Sequence, residues 1–350
     1  MGRVDRPQNA KQRAARAPGN ERAQPLGGVP EAAPVEAISV QWLEVEAEYA
    51  GQRIDNFLVA RLKGVPKSVI YRCLRKGEVR VNKGRIKPDY RVQGGDLIRI
   101  PPLRRSEQSD DEIHVGERIR NLLEGAILYE DEGLIVLNKP AGMAVHGGSG
   151  VSVGVIEALR AIRPLSRHLE LVHRLDRDTS GCLMVAKKRS RLRVLHEQLQ
   201  AGEIRKVYWA LVEGRWKGKF RRIDAPLQKF GEQGGERIVK VSQQGKPSST
   251  EFVLLRHFEE TSLVEASPLT GRTHQIRVHA QFAGHPIVGD DKYENKERAR
   301  YFRDLGAGRM FLHAKSLEIP SDQGKMVFDA PLDTAFQSFI DQLGREGSKS

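Results

Sequence analysis

Residues 173–186 read His173-Arg174-Leu175-Asp176-Arg177-Asp178-Thr179-Ser180-Gly181-Cys182-Leu183-Met184-Val185-Ala186. Thr179-Ser180-Gly181 is a turn signal. The apolar run from Cys182 to Ala186 has the length and composition of a buried strand. Asp176 therefore lies in a loop that feeds a strand, with Arg174 and Arg177 close on either side. Nearby positive charge favours the ionised form of a carboxylate. Such an Asp suits a nucleophile or an electrostatic stabiliser better than a proton donor. Taken alone, these residues leave a second reading open: a loop Asp satisfied by arginine pairing, since structural ion pairs are common.

Working outward, strand patterns dominate. Ala126 to Tyr129 and Leu134 to Leu137 flank a Glu130–Gly133 turn, and Lys139-Pro140-Ala141-Gly142 breaks away. Lys206 to Val212, Thr250 to Leu255, Leu263 to Ala266 and Leu317 to Ile319 read as further strands. Helical patterns occupy Val153 to Ile162 and the region of Leu192 to Leu199. Runs of strands with occasional helices predict an α+β fold around a mixed, largely antiparallel sheet. This globular part spans 125–345.

A smaller unit precedes it. Ile54, Phe57, Leu58 and Leu62 give one helical stripe, and Gly64-Val65-Pro66 breaks it. Lys67 to Lys76 predict a second helix, with Val69, Ile70, Cys73 and Leu74 inward. Val79-Arg80-Val81, the turn at Asn82-Lys83-Gly84 and the strand at Leu97–Ile100 complete a small α+β domain over 41–103. Residues 1–40, rich in Ala, Pro, Gly, Gln and Arg, predict a disordered basic tail. Residues 104–124 are charged and poor in hydrophobics, and predict a linker.

Charge is unevenly spread. The 350 residues carry a formal net charge of +13. Between Arg53 and Arg105 stand fifteen Lys or Arg against four Asp or Glu. Nearly all the excess thus falls on the small domain, which suggests a polyanionic partner. Two cysteines, Cys73 and Cys182, lie far apart in apolar surroundings, so neither a disulfide framework nor a thiolate metal cluster is indicated. No apolar stretch approaches the roughly 18 residues of a membrane span, and the N-terminus lacks a signal-peptide core. A soluble, cytoplasmic protein is expected.

A second informative stretch is Gly271-Arg272-Thr273-His274-Gln275-Ile276-Arg277-Val278-His279, a turn followed by a basic helix. His274 and His279 are five apart, not the four of a zinc-binding helix. No carboxylate or thiolate is spaced to complete a site, so no metal is expected.

The run His173 to Gly181 resembles the signature of the RluA family of pseudouridine synthases, in which the aspartate is the indispensable residue. Arg272–Arg277, Lys206-Val207-Tyr208 and Arg309-Met310-Phe311-Leu312-His313-Ala314 resemble three further family motifs. Asn138–Gly142 and Val288-Gly289-Asp290 match elements that read as structural. From Gly51-Gln52-Arg53-Ile54-Asp55 to Gly95-Asp96 the small domain resembles the S4, or alpha-L, RNA-binding domain. The combined resemblance covers about 41–345. Its pairing of domains points to the C-type branch, which acts on large-subunit ribosomal RNA.

The resemblance implies an isomerase that converts uridine to pseudouridine without cofactor, metal or energy source. Asp176 is then catalytic, and Arg277 pairs with it. Tyr208 stacks on the base with its hydroxyl near the sugar, as a candidate base for the sugar proton. Leu312 forms the pocket's apolar side, and Arg174 and Arg272 join it on the substrate, Arg174 filling the place of the flipped uridine. RNA-facing candidates on the S4 motif are Arg53, Lys67, Ser68, Arg72, Arg75, Lys76 and Asn82. The expected partner is 23S ribosomal RNA or a large-subunit assembly intermediate, met by a monomer. Two other classes compete. A non-catalytic RNA-binding assembly factor would leave the spacing of Asp176, Tyr208 and Arg277 without purpose. An RNA glycosidase would want a second carboxylate, for which Asp178 is the nearby candidate, and a metal-free nuclease would want paired histidines.

Overall fold

The computed structural model describes residues 39–62, 64–103, 115–147, 153–166, 168–233 and 236–346. The predicted tail up to residue 38 and the linker over 104–114 lie outside the described residues.

The small domain begins with β1 (Gln41–Glu44), followed by α1 (Ile54–Arg61), α2 (Lys67–Lys76), β2 (Arg80–Val81), β3 (Gly84–Arg85) and β4 (Leu97–Ile100). Pro66 precedes the first turn of α2, and Gly77 at φ +71° ends it in the left-handed region that glycine tolerates. Ile70, Cys73 and Leu74 recur at helical spacing and bury against Ile54, Phe57 and Leu58 of α1. The strands form an antiparallel sheet in the order β1-β4-β2-β3. Val81, Ile98 and Ile100 turn inward to the same core. Asn82 and Lys83, both at positive φ, make the tight hairpin between β2 and β3.

In the large domain come α3 (Glu117–Gly125), β5 (Ile127–Glu130), β6 (Leu134–Lys139), α4 (Val155–Ile162), β7 (Glu170–Leu171), β8 (Ser180–Ala186), α5 (Arg189–Ala201) and β9 (Arg205–Glu213). Then follow β10 (Phe220–Asp224), β11 (Leu227–Gln233), β12 (Glu236–Val241), β13 (Ser249–His257), β14 (Thr261–Pro268), α6 (Gln275–Phe282), α7 (Lys296–Asp304), β15 (Leu312–Ser321), β16 (Gly324–Asp329) and α8 (Thr334–Glu346). Ten strands build one sheet along β10-β13-β14-β9-β15-β8-β6-β5, with β16 beside β15 and β7 beside β8. Its one parallel pairing, β15 with β8, runs through the centre. The sheet is therefore mixed and largely antiparallel, as the strand runs predict. β11 and β12 form a separate hairpin.

One boundary differs from the sequence reading. Residues 117–124, assigned there to the linker, form most of α3. Its composition is charged, and Leu123 is its one fully buried side chain, inserted into the core around β6, β8 and α4. So sparse an apolar stripe is easily missed.

The two domains touch through α5. Arg189 donates to the Gln52 side chain at 2.8 Å and sets its guanidinium over the Tyr49 ring at 4.3 Å. Among the described residues, no helix is long and apolar enough to cross a membrane.

Every residue of β8 is buried. Gly181 sits at φ +104°, and a Cβ there would lie 2.2 Å from the Ala314 carbonyl oxygen. Glycine is thus required both by conformation and by the close approach of β15. Gly181→Ala is expected to cost roughly 3 kcal/mol or more, the range of strained, overpacked core changes. Thermal or urea unfolding measures it, and a wild-type midpoint would show that the two strands can separate freely.

Candidate active site

The loop before β8 is pinned on both sides of Asp176. His173 accepts a hydrogen bond through Nε2 from the Met184 backbone N–H at 3.1 Å. Burial, with Lys206 adding to it, pushes this imidazole down to about 4, so the ring stays a neutral acceptor. On the other side, the Lys139 Nζ donates to the carbonyls of Pro140, Met143 and Arg177 at 2.7, 2.8 and 2.9 Å. Burial lowers this ammonium to about 7, against the pull of Asp178. Ser180, at the start of β8, is held by His313 Nδ1 and by the Arg309 guanidinium, both at 2.8 Å. The Asn138–Gly142 element is structural, as read from sequence, but its lysine acts directly on the backbone next to Asp176.

Asp176 keeps about a fifth of its side chain exposed. Its Oδ2 accepts from Arg277 Nη1 at 3.1 Å. Arg277, on α6, is only 5% exposed, and its other edge is taken by Asp290, which is fully buried. Nε and Nη2 donate to the two Asp290 oxygens, each at 2.7 Å, a bidentate pair. The guanidinium also lies 5.0 Å from the centre of the Tyr293 ring. Burial opposes its charge, yet Asp290 and then Asp176 outweigh that, and the pKa of Arg277 rises above its ordinary value. One planar cation is thus locked by one carboxylate and aimed at the other.

His274 stands beside this pair at φ +52°. Its Nδ1 is 2.7 Å from the Tyr293 hydroxyl, and its Nε2 is 3.8 Å from Asp176 Oδ2. Burial pushes this imidazole to about 4, although Asp176 works the other way. Tyr293 accepts from the Val239 N–H and has its own proton free for Nδ1. That arrangement leaves the Nε2 proton facing Asp176.

Asp176, Arg174, Tyr208, Arg272, His274, Arg277 and Leu312 line one cavity of about 350 Å³. The sheet explains the meeting: Tyr208 on β9 is in register with Ala314 on β15, which in turn faces Gly181 on β8. Leu312 is nearly buried and offers an apolar wall. Tyr208 is half-buried, and its hydroxyl has no hydrogen-bond partner among the described residues. Burial raises this phenol well above its ordinary pKa, with Asp176 adding to the rise. Arg272 is exposed and donates to the Pro247 carbonyl at 3.2 Å, while Gln275 clamps the loop through Ser249, Thr250, Thr270 and the Arg272 N–H. Arg174 is exposed at the rim. Among the described residues no group of three or more His, Cys, Asp or Glu could hold a metal ion.

On the small domain, Lys67, Ser68, Arg72, Arg75 and Lys76 are all exposed along α2. Burial lowers the pKa of His146; Glu157 opposes this, and Arg174, Arg160 and, least, Lys67 add to it. The other two candidates are already engaged. Arg53 forms a two-bond pair with the buried Asp55. Asn82 uses its amide nitrogen on Asp96 and its amide oxygen on the Leu97 N–H. Both side chains therefore also hold the fold, and that of Arg53 remains 46% exposed. Asp290 and His274 were not singled out as site residues, because nothing in a single sequence ties them to a loop a hundred residues earlier.

Residues 133–282 match the RNA pseudouridylate synthase family, and residues 52–98 match the S4 domain. The chain is 55% identical to the ribosomal large subunit pseudouridine synthase C of Haemophilus influenzae over 307 residues, 87% of this chain and 95% of that one. Against the protein of the same name from Escherichia coli it is 54% identical over 312 residues, 88% and 98% of the two chains. The solved structure of human RNA pseudouridylate synthase domain containing 4 superposes with a TM-score of 0.55 at 26% identity, covering 65% of this chain and 96% of that one.

His173, His274 and His313 are each pushed to about 4 in the fold, first by burial. An unfolded histidine titrates near 6.5, so between about 4 and 6.5 the unfolded chain holds more protons. Stability from these rings is complete above 6.5 and is lost as pH falls towards 4. Calorimetric melting over that window should show a falling midpoint, and His173→Gln should make the fall shallower. A midpoint independent of pH there would contradict buried neutral rings.

Proposed function

Since this chain belongs to the RNA pseudouridylate synthase family and carries an S4 domain, we propose that it isomerises specific uridines to pseudouridine in 23S ribosomal RNA, with Asp176 as nucleophile and no cofactor. The observation that carries the site assignment is the Arg277 guanidinium, fixed by Asp290 and aimed at Asp176 in a cavity also walled by Tyr208 and Leu312. Close identity to large-subunit synthases over nearly the full length of those proteins supports the substrate.

The reaction conserves mass. The bond from uracil N1 to the sugar C1′ breaks, the base turns, and C5 joins C1′. The proton leaving C5 is balanced by the one that N1 gains. The uridine must first leave its stack, at roughly a few kcal/mol. Arg174, exposed at the rim, suits the gap it leaves. A carboxylate held in place by a fixed arginine needs no reorganisation when positive charge develops at the sugar or when it forms a covalent bond. Tyr208 and Leu312 offer the base an aromatic and an aliphatic surface. Burial keeps the Tyr208 phenol protonated, which weighs against its acting as a free phenolate base and favours ring contact with a hydroxyl donor. The basic face of α2 supplies phosphate contacts outside the cavity. Both cysteines are free and buried, which suits a reducing cytoplasm.

Incubating large-subunit RNA with the protein, then combining mass spectrometry with a derivatisation selective for pseudouridine, tests the activity. Unchanged mass with new derivatised sites is expected. Cleavage or base loss would indicate a nuclease or glycosidase, and an unaltered RNA a binder. Asp176→Asn should abolish turnover while RNA binding survives, and turnover by the purified variant would refute the nucleophile. Tyr208→Phe should bind as wild type and turn over at least tenfold more slowly. An equal rate would reduce Tyr208 to a stacking surface.

A further inference from the structure

The helix α2 is not the small domain's only cationic surface. The sheet buries one face against α1 and α2, and among the described residues the other is exposed. Across that open face the strand register aligns four residues: Trp42 of β1 faces Arg99 of β4, Arg99 faces Arg80 of β2, and Arg80 faces Arg85 of β3. Directly opposed residues in antiparallel strands share a face, so these side chains form one row. The row spans three strand spacings, roughly 14 Å. Inward positions alternate with it: Val81, Ile98 and Ile100 are buried.

The row is cationic and largely unneutralised. Arg80, Arg85 and Arg99 form no ion pair among the described residues. Lys76 and Lys83 border the same shallow depression of about 670 Å³, and Glu78, which lies 4.0 Å from Lys76, is its one carboxylate. The guanidinium of Arg99 is steadied by the Glu78 carbonyl at 3.1 Å. Arg85 lies across Gly77, where a Cβ would come within 2.7 Å of its Nε. At the end of the row Trp42 is 53% exposed, an unusual position for so large an apolar surface.

We propose that this open sheet face binds a single-stranded segment of the RNA, with phosphates along Arg99, Arg80 and Arg85 and one unstacked base on Trp42. This rests on the reading that RNA is the substrate. Arginines beside an exposed aromatic ring are the two components that sequence-tolerant single-strand binding uses. An acidic protein surface would satisfy the arginines but has no use for the indole face. Lys76, at the end of α2, borders this face, so RNA held here would continue onto the exposed surface of α2.

The test uses the full chain and a single-stranded oligouridylate. Of the three tryptophans, Trp216 is buried and Trp209 half-buried, so quenching of exposed indole fluorescence reports on Trp42. Quenching on titration is expected, together with about tenfold weaker binding for Trp42→Ala and near-normal binding for Trp42→Phe. The triple change R80Q/R85Q/R99Q should reduce the slope of log affinity against log salt by about 2, from roughly 0.7 per phosphate contact on single strands. An unquenched wild-type protein with an unchanged slope in the triple variant overturns the site, and leaves the catalytic reading intact if the same wild-type protein still makes pseudouridine. Quenching and a reduced slope without any pseudouridine support the site and overturn the catalytic reading instead.

Discussion

The guanidinium of Arg277 is shared between two carboxylates, and the site depends on how it is shared. Asp290 takes Nε and Nη2 and fixes the plane of the group, so that Nη1 has one place to point. Asp290 is fully buried, Arg277 nearly so, and Asp176 is the most exposed of the three in the cavity. Removing one member of a buried ion pair typically costs about 3–5 kcal/mol, because the other is left uncompensated. The arrangement is therefore sensitive to change at Asp290 and open to solvent chiefly at Asp176. The rest of the core serves that geometry. β8 and β15 run parallel at closest approach, Gly181 allows it, and β9 adds Tyr208 from the neighbouring strand.

Much of this was legible in the sequence, for a physical reason. Local patterns record local events: a turn followed by an apolar run at 179–186, helical spacing in α1 and α2, and a two-residue hairpin at Asn82-Lys83. Long-range partners leave no such trace. The pairing of Arg277 with Asp176 came from family resemblance, and the geometry brings them to 3.1 Å. Asp290 read as structural, which is correct as far as it goes, yet its structure is the orientation of Arg277. Helix α3 was read as linker because Leu123 is its only fully buried residue. Arg53 and Asn82 are RNA-contact candidates by type, and the fold also gives them partners, Asp55 and Asp96, that no local pattern records. A side chain's type announces what it can bond, not what is already bonded to it.

The charge distribution divides labour between the domains. The small domain concentrates cations on exposed faces, which suits affinity without sequence choice. In the large domain the key cations, Arg277, Lys139 and Arg309, are buried and spent on geometry. Contact between the two runs through Arg189, which meets Tyr49 and Gln52 on one side and Glu170 on the other. Helix α5, which carries Arg189, also holds the Val172 carbonyl through His196, one residue before the Asp176 loop begins. The small domain and the Asp176 loop are thus joined by a short, packed route.

The central claim is that Asp290 acts on the reaction through Arg277 alone. A double-mutant cycle of Asp290→Asn and Arg277→Lys, read as single-turnover pseudouridine formation in variants that melt well above the assay temperature, measures it directly. If the claim holds, the double variant is no slower than the slower single variant, since each change releases the same guanidinium. Losses that multiply, with the double variant slowed by the product of the two single effects, would show that Asp290 and Arg277 act independently and would contradict the account.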